Sequence, residues 1–382
     1  MTNLTNDLLE WAIYHRRYLH ENPELSGREY NTCAYIKGVL KELGLELLPC
    51  IEPSIIGYVK GAVGEKTIAL RADIDALPIQ EEGEKQCLSK VPGISHTCGH
   101  DGHTAILLSV AKWVMENREK VKHNIVFIFQ SCEEISPSGA EKLVKEGVLE
   151  QVDEIFGLHL MSDEPKGKII MKTGEFMGSS DDFVITVQGK GGHAAFPQDT
   201  VDPTYVAAHI IIALQAIVGR RMNPVESSVI SVGQVIAGSS TNIIPDKATI
   251  TGTFRTFSHE VRERLMNEMK RLVEQMSLTF GAVGTVEFII GTPPVVNDVD
   301  VTKKLSGLFK ETYPNRVIEK DKPIMVAEDF AYYLEKIPGS YYHIGMKGEK
   351  SQYPHHHPKF DIDEEELGAA IDTFLTIVTS YH

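Results

Sequence analysis

Cysteine is scarce and shows no pairing pattern. The chain has five (Cys33, Cys50, Cys87, Cys98 and Cys132), an odd number scattered over 382 residues, so disulfides have no visible structural task and most of these thiols are expected to be buried. Positive charge is also short. With 38 Lys and Arg against 53 Asp and Glu, the formal net charge is -15, and no Lys/Arg stripe interleaved with aromatics offsets it, which argues against a nucleic-acid partner. The opening MTNLTNDLLEW lacks the basic start and apolar core of a signal peptide. No apolar run approaches the length needed to cross a bilayer, so a cytoplasmic location and no membrane partner are expected. Repeats, low-complexity tracts and a nucleotide fingerprint are missing too: GKGGH (189–193) lacks both the G-x-G-x-x-G spacing and the later acidic residue.

What remains is the composition of an ordinary globular protein, 42% hydrophobic and 24% charged. At 382 residues it is too long for one core and comfortable for two. Apolar residues recur at helical spacing through LLEWAIYHRRYLH and through YNTCAYIKGVLKELG, which stops at Gly44. Short β-type runs follow (IIGYVKG, TIALRAD, NIVFIFQ, EIFGLHL), alternating with helices at TAILLSVAKWVMEN and GAEKLVKEGVL. That alternation predicts an α/β domain with a largely parallel sheet. From about residue 179 the order changes to βαββαβ, a split βαβ pattern large enough for its own domain. After GTPPVVND, α/β character returns, with helices expected at VTKKLSGLFKETY, AEDFAYYLEKI and the C-terminus, and a strand at SYYHIGM. The simplest organisation is a discontinuous domain, 1–178 and 295–382, with 179–294 inserted into it.

In open α/β sheets, ligands gather at the carboxyl ends of strands. TIALRAD leads into Asp73 and Asp75, NIVFIFQ leads through Ser131-Cys132 into Glu133 and Glu134, and EIFGLHL delivers His159; Cys98 and His100 lie on the intervening loop. Thiolate, imidazole and carboxylate together suit a borderline-soft divalent ion, and are too rich in nitrogen and sulfur for a calcium or magnesium cage. Adjacent glutamates suit a division of labour in which one ligates and the other takes a proton from metal-bound water. Each has a plainer reading: a glutamate pair favoured by a helix dipole, an interior histidine, a buried thiol, aspartates capping a turn. Convergence at one sheet edge raises the metal site above them.

Taken in order, RADIDALPI (71–79), HTCGHDGHTA (96–105), Glu133-Glu134, GLH (157–159), GKGGHAA (189–195), NIIPDKATITGTFRTF (242–257), AEDF (327–330) and HHPKF (356–360) resemble the aminoacylase and amidohydrolase branch of the zinc peptidases. The likeness begins at HRRYLHENPELS (15–26) and spans nearly the whole chain. It implies a zinc-peptidase-like α/β catalytic domain with an inserted lid and dimerisation domain. It also implies hydrolysis of the amide of N-acyl, chiefly N-acetyl, amino acids or related conjugates.

By the same resemblance two divalent ions are expected, zinc or manganese, with nickel or cobalt as further options. Cys98 corresponds to a bridging thiolate, His100, His159 and Glu134 to terminal ligands, and Glu133 to the base that deprotonates the bridging water. Asp75 corresponds to the carboxylate that orients a metal-binding histidine. The last ligand is a histidine in a His-x-Pro setting, which selects His356, with His355 and His357 competing. His193 matches an oxyanion-stabilising histidine lent by a partner subunit, so a homodimer is implied. Asn242 and Arg255 match positions that hold the substrate carboxylate. Ser131-Cys132 and Val326-Ala327 depart from the Pro-Ala and Gly common in relatives, without touching a ligand. The rival readings are a thiol hydrolase using Cys98 with His96 or His100 as base, a small-dipeptide metallopeptidase, and a non-catalytic metal-binding dimer.

Overall fold

The computed structural model describes residues 6–381, which form two compact units. The first runs to Gly174 and takes up again over Asn297–Lys322 and from Asp329 onward; the second comprises Glu175–Val296 and Pro323–Glu328. The short return of Pro323–Glu328 has a simple cause. The N–H of Gly178 donates to the carbonyls of Ile324 and Val326, each at 2.9 Å, which ties that segment to the second unit.

The first unit is built on an eight-stranded sheet in the order Glu46–Leu48, Ile55–Val59, Asn124–Gln130, Thr67–Asp73, Glu154–Pro165, Gly339–Lys347, Ile169–Met171, Val317–Glu319. Asn124–Gln130 through Gly339–Lys347 are mutually parallel, and antiparallel pairings join this centre to the outer strands. The expected parallel sheet is therefore its four-stranded centre, with one further parallel pair, Ile169–Met171 and Val317–Glu319, at one margin. Glu46–Leu48 and Ile55–Val59 are linked too briefly for the crossover that a parallel pair requires. Both NIVFIFQ and TIALRAD are buried over six consecutive residues, as strands covered on both faces must be. One apolar cluster runs from Leu8 and Ile36 through Phe127 and Phe156 to Phe374 and Tyr381.

Helix His100–Glu116 matters most for function. Every residue from His100 to Ala111 is buried, so the helix is internal and cannot shift without moving the core. Arg16 and His20 on helix Asn6–Glu21 pin its first turn, each reaching Oδ2 of Asp101 at 2.8 Å.

The helix expected over AEDFAYYLEKI is reduced to Ala331–Leu334. Asp329 instead accepts from Arg71, Gln130 and the N–H of Ala140, and this tertiary polar network holds the local backbone out of a helix.

The second unit has the expected βαββαβ order: Asp181–Gln188, Pro203–Arg220, Ser228–Ala237, Lys247–Thr256, His259–Thr279, Val283–Ile289. Its antiparallel sheet runs Ser228–Ala237, Lys247–Thr256, Asp181–Gln188, Val283–Ile289. Asp202 and Ser258 cap the two helices through their side chains.

The expectation that no apolar run approaches membrane-spanning length is corrected by Pro203–Arg220, whose 18 residues have mean hydropathy 1.2. Helical spacing explains it without a bilayer. Val206, Ile210, Leu214 and Ile217 form an inner face in the core of this unit, while Tyr205 and Ile212 point outward.

Candidate metal centre

Asp73 ends the strand Thr67–Asp73, Asp75 follows two residues on, Glu133 and Glu134 follow Asn124–Gln130, and His159 lies within Glu154–Pro165. Cys98 immediately precedes the helix that opens at His100. Between them Gly99 has φ 90°, a left-handed conformation that lets the chain turn sharply into the helix.

Asp75 is the hub of this region. Its Oδ1 accepts from Nδ1 of His100 at 3.0 Å. Its Oδ2 accepts from Ser26 Oγ at 2.7 Å and from the N–H groups of Glu133 and Glu134 at 2.8 and 3.1 Å. Burial alone would raise its carboxyl; the bonds from His100, Ser26 and Glu134 outweigh that and hold it below the usual range. One carboxylate thus aims His100 and fixes the glutamate turn. That turn is strained as well, with Cys132 at φ 59° and its N–H on Glu29 Oε1 at 2.7 Å.

Among the described residues of the first unit, four groups of potential ligand atoms lie within 4.8 Å of one another: Cys98, His100 and His159; Cys98, Glu134 and His356; His100, Glu133 and Glu134; Asp73, His100 and His103. Cys98 is common to the first two. Its Sγ is 3.5 Å from Nε2 of His159.

Nδ1 of His159 donates to the Leu160 carbonyl at 2.9 Å and Nδ1 of His100 donates to Asp75, which leaves both Nε2 lone pairs directed at the cluster. His100 Nε2 and Glu134 Oε1 are buried without a hydrogen bond among the described residues. Glu134 Oε1 faces Nε2 of His356 at 3.2 Å and of His100 at 4.0 Å. Buried polar atoms left facing one another fit a site shaped for cations, and sulfur, nitrogen and carboxylate donors fit a borderline-soft metal. With no metal, burial and the Glu134 charge push the Cys98 thiol well above its ordinary range, the opposite of what a free thiol nucleophile needs.

Of the three consecutive histidines, only His356 enters a ligand group among the described residues. Its φ of 63° and the bond from its N–H to the Thr97 carbonyl at 2.9 Å bend that loop toward Cys98. His355 Nε2 donates to the Leu160 carbonyl, and His357 accepts the Lys359 N–H and stacks on Tyr353.

Asp73 does not behave as a ligand. It accepts from His103 Nδ1 and Arg71 at 2.6 Å each, within a buried chain that continues from Arg71 to Asp329. Ser26, Arg71, His103 and Asp329 are supports for which sequence reasoning gave no role. Each stands inside a motif quoted above, and that was the only signal of them.

In the second unit, antiparallel pairing sets His193 opposite Ile243, and Ala194 N–H donates to the Asn242 carbonyl. His193 and Asn242 are exposed. Arg255, on Lys247–Thr256, reaches the Ser179 carbonyl at 3.3 Å.

Residues 69–380 match the model of peptidase family M20/M25/M40. The chain belongs to that family. It is 41% identical over 355 residues to the N-acetyl-L-cysteine deacetylase of Bacillus subtilis, covering 92% of this chain and 83% of that protein. It is 37% identical over 379 residues to the Arabidopsis thaliana IAA-amino acid hydrolase ILR1-like 2, covering 97% and 85%. Among solved structures, the B. subtilis YXEP protein, described as a dinuclear metal-binding peptidase of the M20 family, superposes with TM-score 0.87 at 36% identity over 98% of both chains. The M20 chain is accordingly a metal-dependent hydrolase of amide bonds with a site for two divalent ions.

Proposed function

We propose that this enzyme hydrolyses the amide of N-acyl amino acids, N-acetyl derivatives foremost, with Glu133 as general base and zinc or manganese in the site. Cys98, His100, Glu134, His159 and His356 are the ligands in this reading. The observation that carries it is the overlap of ligand groups: Cys98 belongs both to a set with two imidazoles and to a set with Glu134 and His356, as a thiolate shared by two ions would. When bound, such ions supply Lewis acidity, lowering the pKa of water and polarising a carbonyl. Glu133, grouped with His100 and Glu134, takes the proton of the attacking water and returns it to the leaving amine nitrogen. Asp75 keeps Glu133 and Glu134 from exchanging places by holding both N–H groups.

In the same proposal, residues 1–178 with 295–382 form the catalytic domain and 179–294 the lid. Arg255 and Asn242 hold the substrate carboxylate, and His193 donates to the oxyanion of the partner subunit's site in a homodimer. Support for the dimer comes from Ser228–Ala237, an edge strand with Val235 and Ile236 exposed, and from the outward Tyr205 and Ile212. A monomer at all concentrations in sedimentation velocity would remove that role from His193. Five free thiols accord with a cytoplasmic setting.

The decisive experiment is amine release from a panel of N-acyl amino acids and dipeptides by protein stripped of metal and reloaded with zinc or manganese. Activity that survives exhaustive stripping, but not thiol alkylation, would sink the metal mechanism in favour of Cys98 as nucleophile.

A further inference from the structure

Beside the proposed ligands stand histidines that bind nothing in that reading. Three imidazoles meet on the backbone of Leu160, the residue after His159. Its N–H donates to Nε2 of His103 at 3.0 Å. Its carbonyl accepts from Nδ1 of His159 at 2.9 Å and from Nε2 of His355 at 2.9 Å.

A ring nitrogen that accepts a hydrogen bond carries no proton, so His103 holds its hydrogen on Nδ1, where Oδ1 of Asp73 receives it at 2.6 Å. Arg71 fixes Asp73 in turn, and its other amino group reaches Asp329 at 2.6 Å. All four side chains are buried, so this support is rigid. His355 stands on the loop one residue before His356 and meets the carbonyl of Leu160, where His103 meets the N–H. Its bond to Leu160 therefore joins the loop bearing one proposed ligand to the strand bearing another.

A metal-binding imidazole is aimed by whatever its second nitrogen bonds to. For His159 that partner is the Leu160 carbonyl, whose direction depends on the backbone that His103 and His355 hold. We propose that His103 and His355 are positioning residues for the metal centre, clamping Leu160 by its N–H and by its carbonyl so that His159 points into the cluster and the His356 loop is seated; this rests on the dinuclear-site reading above. An ordinary interior histidine would be satisfied anywhere in the core. These two are satisfied on the residue next to a ligand.

The test uses the full chain loaded with cobalt(II), read by its visible spectrum, by chelator competition and by kinetics. H103L and H355A are expected to shift the d–d envelope, to weaken cobalt binding about ten- to a hundredfold, and to lower kcat with little change in KM. H103Q, whose amide oxygen can receive the Leu160 N–H while its NH2 meets Asp73, should restore most of the wild-type spectrum. If H103Q is as perturbed as H103L, the Leu160 contact is not what His103 supplies. If H103L fails to fold, H355A, on a loop, still decides the matter. Variants that melt like wild type and keep its spectrum and cobalt affinity overturn the clamp. Wild-type protein that takes up no cobalt would fail the dinuclear reading itself.

Discussion

In the first unit Asp75 is buried and bonds to His100, Ser26 and the N–H groups of Glu133 and Glu134. In the second, His193 and Asn242 are exposed and Arg255 touches a single backbone carbonyl. The difference separates two ways of carrying function. A buried polar group must have its partners in place when the chain folds, because an unmade bond there costs about 1–3 kcal/mol. Its geometry is therefore set before any substrate arrives. An exposed residue carries no such obligation and gains a defined position only from what binds it. Side chains of the first kind should resist replacement in metal affinity and stability, and those of the second in substrate affinity alone.

The sharpest break expected is at Glu133. E133Q should lower kcat by about two to four powers of ten while still binding two ions, as read by amine release and metal analysis. An E133Q protein with wild-type turnover would remove the general base from the first unit altogether. Next is Asp75. D75N keeps the shape but weakens both the His100 contact and the glutamate turn, so metal affinity should fall about ten- to a hundredfold by chelator competition. The melting temperature of metal-free protein should fall with it. Unchanged values for both would mean that the hub is ornamental. R255A tests the other side. Losing a charge-assisted contact of about 1.5–3 kcal/mol should raise KM about ten- to a hundredfold with melting temperature unmoved. Arg255 would belong with the buried class if R255A unfolds readily.

The same division governs what the sequence reveals. Strand cores such as NIVFIFQ and TIALRAD were legible because cover on both faces makes their middles, IVFIF and IAL, unbroken apolar stretches. The βαββαβ insert was legible from its change of period. The glutamate pair stood out as acidic residues following a strand, His159 as an imidazole in an apolar run, and Cys98 and His100 as thiol and imidazole on the loop between strands. The choice among His355, His356 and His357 was not legible, since it depends on a loop with φ 63° at His356 and a bond to Thr97. Nor were the Asp329–Arg71–Asp73 chain and the loss of helix over Ala327–Phe330. Asp329 meets Arg71, Gln130 and Ala140 from 189 to 258 positions away in the chain, and no local pattern encodes such contacts.

The smallest effect expected lies behind the glutamate turn. Glu29 is fully buried; Oε1 accepts the Cys132 N–H, while Oε2 has no partner among the described residues. Burial first, and the Asp75 charge second, push its carboxyl up to about 7 from an ordinary 4.5. Between those values the native protein holds a proton that the unfolded chain has released, so stability should decline as pH rises through this window. Below it both states are protonated, and above it both are ionised with the penalty complete. E29Q cannot ionise. Compared with wild type it should gain stability between pH 5 and pH 8, on the order of 1–3 kcal/mol in denaturant midpoints. Parallel pH curves for the two proteins would mean that Glu29 ionises as easily folded as unfolded. The strained turn at Cys132 would then be held by a carboxylate that folding does not perturb.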